Sequence, residues 1–139
     1  MTAKVRGKLQ VMQNKAVRYL LNLPPRTHLS REDFKKAGML PVHLRVQQLK
    51  LNQMYNIIHR TAPSYLNTQI VMVHTQHQHN TRASVNSCSV PRVNSVAQNS
   101  FFYTGIALWN ELPPSVRLTN SKVVYKSKVR NHLFEKVQD

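Results

Sequence analysis

The sequence predicts a mainly α, small helical domain with a Ser/Asn/His-rich loop in its middle that has room for a short β-ribbon. Three observations carry this. Apolar residues recur at helical spacing near both ends, proline or glycine follows every such run but the last, and residues 67–98 keep no persistent period. The chain therefore divides into a helical part over 1–66, a polar loop or short ribbon over 67–98, and an apolar helix plus a basic C-terminal helix over 99–139. The last part is expected to share one domain with 1–66.

The elements follow in order. In "KVRGKLQVMQNKAVRYLLN", residues 4–22, Val5, Leu9, Met12, Ala16 and Leu20 make an amphipathic stripe that Pro24 and Pro25 terminate. At about 100° per residue, Lys4, Lys8, Lys15 and Arg18 fall within roughly 80° of one another beside that stripe. Ser30 and Asp33 open a short helix in the manner of a capping box, and Gly38 closes it. A second long helix starts near Pro41 and repeats Leu44, Leu51, Tyr55 and Ile58 until "TAPSYL" breaks it at Pro63. Alternation in "VNSCSVPRV" permits an edge strand, although Pro91 argues against a central one. In "FFYTGIALWNELPPSVR", residues 101–117, Phe102, Ile106 and Trp109 share one face while Phe101, Leu108 and Leu112 fill the next. A helix apolar over so much of its circumference belongs in the core. The last helix begins near Asn120 or Ser121, with Tyr125, Val129 and Leu133 on one ridge and Lys122, Lys126 and Arg130 on its neighbour.

Composition narrows the function. The chain has 139 residues, with 20 Lys and Arg against 5 Asp and Glu, a net charge of +15. Such an excess opposes compaction unless a polyanion neutralises it, so RNA or DNA is the expected partner. No membrane and no small-molecule substrate are expected. Without a membrane-length apolar run or a signal-like N-terminus, the chain reads as soluble and intracellular, in the nucleus or the cytoplasm. A single cysteine, Cys88, excludes an internal disulfide.

Catalysis is not expected. Metal-dependent nucleotidyl transfer needs clustered carboxylates, and the chain offers only Glu32, Asp33, Glu111, Glu135 and Asp139. Its three glycines, Gly7, Gly38 and Gly105, are too scattered for a phosphate loop. "HTQHQH" places His74, His77 and His79 upstream of Cys88, a donor set suited to zinc, but in no zinc-finger spacing; a polar loop is the plainer reading, and neither metal nor cofactor is expected. Phe101, Phe102, Tyr103 and Trp109 would suit base stacking chemically, yet their helical spacing favours the core, as it does for Tyr19, Tyr55 and Tyr125. The basic ridges lack the interspersed acids of a neutral soluble helix, which favours phosphate contact over simple solvation. The candidate nucleic-acid-binding residues are Lys4, Lys8, Lys15, Arg18, Arg45, Arg82, Arg92, Lys122, Lys126 and Arg130.

The ordered series "LQVMQNKAVRYLL", "AGMLPVHLRVQQLKLNQMY", "TAPSYL", "TRAS" with "VPRV", "FFYTGIALWNELPPSVR" and "YKSKVRNHLF" resembles the C-terminal segment of LINE-type, jockey-like non-LTR retrotransposon polyproteins. The resemblance runs from about Leu9 to Phe134. It implies the region after the reverse transcriptase palm: a helical thumb, matching 1–66, and a part that grips element RNA or target DNA. Gln13, Asn14, Lys15, Arg18, Arg45, Arg82, Arg92, Trp109, Lys126 and Lys128 are among the matching positions. The chain has no YxDD-like palm motif, no endonuclease block and no Cys-rich knuckle, so the resemblance implies gripping without polymerase activity. The alternative is an orphaned fragment whose apolar helices normally dock on a reverse transcriptase palm domain.

Overall fold

The computed structural model describes residues 2–73 and 85–138. The fold is mainly helical. Seven α-helices occur among the described residues: α1 (Ala3–Leu20), α2 (Arg31–Lys36), α3 (Val42–Ile58), α4 (Ser64–Asn67), α5 (Phe101–Glu111), α6 (Pro114–Arg117) and α7 (Lys122–Glu135). Two compact units form, Met1–Gln48 with Arg130–Asp139 and Leu49–Val129, so α3 and α7 each supply residues to both.

Local chemistry fixes the helix ends. Ser30 and Asp33 make a full capping box: the Ser30 N–H donates to Asp33 Oδ2 (2.9 Å) and the Asp33 N–H to Ser30 Oγ (3.3 Å). Left-handed residues end α1, α2 and α3. Asn22 (φ 52), Gly38 (φ 66) and Arg60 (φ 56) let the next N–H reach back five residues, as in Leu23 to Arg18, Met39 to Phe34 and Thr61 to Asn56. Each closure satisfies carbonyls that the helix would otherwise leave open. Two of the three turns therefore use residues that a glycine-based reading overlooks.

The first unit buries Val17, Leu29, Phe34, Leu40, Leu44, Leu133 and Phe134. The expected α1 stripe is not part of that core. Val5, Leu9, Met12, Ala16 and Leu20 are all exposed, and Val17 is the residue that α1 buries. Polar contacts seat the helix instead: Gln13 Nε2 donates to the Leu40 carbonyl (2.8 Å) and Gln10 Oε1 accepts the Val42 N–H (2.8 Å). Pro41 cannot supply a side-chain cap to α3, so Gln10 does so from α1. Polar docking at the start of α3 thus outweighs the apolar stripe in orienting α1.

In the second unit the aromatic block enters the core only in part, since Phe101, Phe102, Tyr103 and Leu108 stay half-buried. Trp109, Ile106 and Leu112 are buried, beside Leu51, Met54, Tyr55 and Tyr125. Gly105 permits the close approach, since a Cβ there would stand 3.0 Å from Met54 Sδ. Tyr55 stacks on Tyr125 at 4.2 Å, and both hydroxyls find backbone acceptors, Asn120 O (2.6 Å) and Leu51 O (2.9 Å). Burial without such partners would carry the full desolvation cost of each hydroxyl. Leu112 leaves α5 in an extended conformation, and Pro114 opens α6 at its first position, so the double proline turns the chain into a short helix before α7. Among the described residues the one antiparallel bridge pairs Met72 with Cys88.

Candidate nucleic-acid interface

The most continuous array of free cations lies on α1. Lys4, Lys8 and Lys15 are exposed, and the helix contains no carboxylate, the first in the chain being Glu32. At 1.5 Å per residue they extend over about 16 Å of helix. Arg18 is half-buried and anchored: its Nε donates to the Thr27 carbonyl at 2.8 Å. Tyr19 departs from the expected core placement, with 84% of its surface exposed, whereas Tyr55 and Tyr125 are buried. On the helical wheel it falls within about 60° of Lys4, Lys8 and Lys15. The fold therefore adds an aromatic ring to the basic face.

The other candidates differ in how freely they can meet a phosphate. Arg45 is exposed on α3, with its guanidinium hydrogen-bonded to Gln48 Oε1. Arg92 is exposed in the loop before α5, and Arg82 lies outside the described residues. Lys122 and Lys126 are exposed on α7. Arg130 is exposed but engaged, donating to the Gly38 carbonyl (2.6 Å) with its guanidinium carbon 5.6 Å from the Phe134 ring centre. The three α7 cations are thus not equivalent, because Arg130 also ties α7 to the end of α2. Lys128 is likewise occupied, by Thr119 Oγ1 (3.1 Å) and the Ser115 carbonyl (3.2 Å). Carboxylates are concentrated elsewhere: Glu135 pairs with Arg31 (3.4 Å) and Lys35 (3.7 Å).

Of the histidine–cysteine constellation, His74, His77 and His79 lie outside the described residues. Cys88 is buried, with its thiol 3.7 Å from Met72 Sδ and its backbone held on both sides by the Asn110 amide. Burial pushes the thiol up to about 12, against the opposing pull of the Arg117 cation. A thiol so placed is a poor nucleophile and a poor metal ligand at neutral pH. Arg117 itself is buried, a placement the sequence did not suggest, and it donates to Ser87 Oγ at 2.7 Å. Burial lowers its pKa. It acts here as an internal strut for the loop rather than as a surface cation.

Tyr19, like the α1 stripe, lies at the surface where helical spacing predicts burial. A signal was present: on the wheel it sits at the edge of the apolar stripe, closer to Lys8 and Lys15 than to Val17. Among the described residues no cluster of three potential metal ligands occurs, and no helix is long and apolar enough to cross a membrane. No family model, curated protein or solved structure matches the chain.

Proposed function

We propose that the chain is a nucleic-acid-binding module that grips the RNA or DNA backbone, in the manner implied by its resemblance to the region after a LINE-type reverse transcriptase palm, with no polymerase activity of its own. The observation that carries this reading is α1, an 18-residue helix with Lys4, Lys8 and Lys15 exposed along one face and no carboxylate to neutralise them. A line of that kind follows a phosphate backbone and releases its counterions. Binding would show little sequence preference, since phosphate contacts position without reading bases. Replacing all three lysines with Ala should lower the magnitude of the log K against log salt slope by about 2 for single strands, or nearer 3 for duplex DNA. An unchanged slope in the folded triple variant would mean that this face is only solvated.

A second reading has its own support. Val5, Leu9, Met12 and Leu20 remain exposed, and an apolar stripe of that length suits a protein partner, a polymerase palm in the terms of the resemblance. Another copy of the chain is disfavoured, because paired α1 helices would set lysine against lysine. Urea unfolding separates the two readings: a self-sufficient module unfolds in one cooperative transition, and a fragment lacking its palm does not.

A further inference from the structure

The end of α1 is built as a concavity. Because Asn22 adopts a left-handed conformation, the chain folds back and brings Leu23 and Pro25 alongside the last turns of the helix. With Val11 and Tyr19 they border a groove of about 480 Å³, and Asn14, Lys15 and Arg18 complete its lining. Volume of this order suits a flat ring or a compact apolar group. Arg18 donates through Nε to the Thr27 carbonyl, and its guanidinium carries two further terminal nitrogens that can donate. The groove therefore combines an exposed aromatic ring, aliphatic walls and two cations, and the Lys4–Lys8 line leads into it along the same helix.

We propose that this groove is a base-stacking site for single-stranded nucleic acid, with Tyr19 as the platform and Lys15 and Arg18 taking the flanking phosphates. The proposal rests on the nucleic-acid reading above and makes it more specific. A base within a duplex is already stacked on both faces and shows a protein only its edges, whereas an unpaired base can offer its face to a ring. Exposing a tyrosine singly among basic side chains has no gain for folding, but it is the arrangement by which non-sequence-specific single-strand binders add affinity to a charged track. An acidic peptide would engage the same cations, but its carboxylates have no use for an exposed ring, whereas a base stacks on one; failure of the chain to bind any nucleic acid is the outcome that would favour the peptide.

The test is fluorescence anisotropy of the full chain with labelled oligo-U, oligo-dT and a duplex, across a salt series, for wild type, Tyr19→Ala and Tyr19→Phe. Tyr19→Ala is expected to weaken single-strand binding about 5- to 150-fold, the range that loss of one aromatic stack produces. Its salt slope should match wild type because no phosphate contact is removed. Duplex affinity should hold, and Tyr19→Phe should retain most of the single-strand affinity. Steeply salt-dependent binding of single strands that is equal for wild type and Tyr19→Ala overturns the stacking site and leaves the nucleic-acid reading standing. Parallel loss on single strands and duplex also overturns the stacking site. Failure of the wild type to bind any of the three overturns both.

Discussion

Trp109 donates its indole N–H to the backbone carbonyl of Asn86 at 2.9 Å, joining the most buried aromatic of α5 to the loop that follows the polar segment. Asn86 is itself left-handed (φ 54), and its side-chain amide donates to the Arg117 carbonyl at 3.0 Å. One indole thus supports both the core and the conformation of a loop. Trp109→Ala should destabilise the chain by about 3–5 kcal/mol, the usual loss for a fully buried large aromatic. Chemical denaturation measures this, and near-native stability in the variant would remove Trp109 from the core.

Cys88 gives a probe of the same region. With its thiol buried and pushed up to about 12, the thiolate fraction at pH 8 is negligible in the folded chain. Ellman's reagent or iodoacetamide should label Cys88 only under unfolding conditions, with a labelling rate that follows the unfolding equilibrium. Rapid labelling without denaturant would contradict the buried placement.

The capping box makes a pH prediction. The Ser30 N–H, then the Ser30 hydroxyl, holds the Asp33 carboxylate below its ordinary value of 3.8. Since the folded value lies below the unfolded one, the stability that Asp33 contributes is complete above that ordinary value and is lost as pH falls through the folded value. Ser30→Ala should reduce that acid-dependent loss as well as weaken α2 at neutral pH. Melting curves of the two proteins between pH 2 and 6, a window of roughly this width about the carboxylate range, would show it; parallel curves would mean that the Ser30 hydroxyl does not hold the carboxylate.

The exposed stripe of α1 predicts unusual tolerance. Leu9→Gln and Met12→Gln should each change stability by no more than about 0.5 kcal/mol, as surface substitutions do. A loss of several kcal/mol from either would place the stripe in a packed interface and require α1 to be buried on that face.

What the sequence made legible depended on how many ways a segment could be packed. Trp109 and Ile106 sit on a helix apolar over much of its circumference, with Leu112 at its cap, so periodicity was enough to place them. The Tyr125–Val129–Leu133 ridge was legible because its flanks carry Lys122, Lys126 and Arg130 and leave one apolar side. For α1 the period was read correctly but the packed face was not. Val5, Leu9 and Met12 identify an apolar side, whereas the helix is seated by Gln10 and Gln13 hydrogen-bonding to backbone groups 32 and 27 residues away, which no local pattern encodes. Arg117 escaped for a related reason, since its acceptor Ser87 belongs to a distant loop. Of the interface, the lysines could be chosen from charge alone; Tyr19 needed the turn at Asn22 and the position of Leu23.

The bond from Val42 N–H to Gln10 makes one amide of α3 a reporter on another helix. Its protection from hydrogen exchange is set by how long α1 stays seated rather than by the strength of the α3 ladder, because the first N–H groups of a helix have no partner within it. Whatever clamps α1, an oligonucleotide along its lysines or a protein on its stripe, should slow exchange at Val42 without touching it. Exchange at that single position therefore reads occupancy of the candidate interface from the opposite side of the helix.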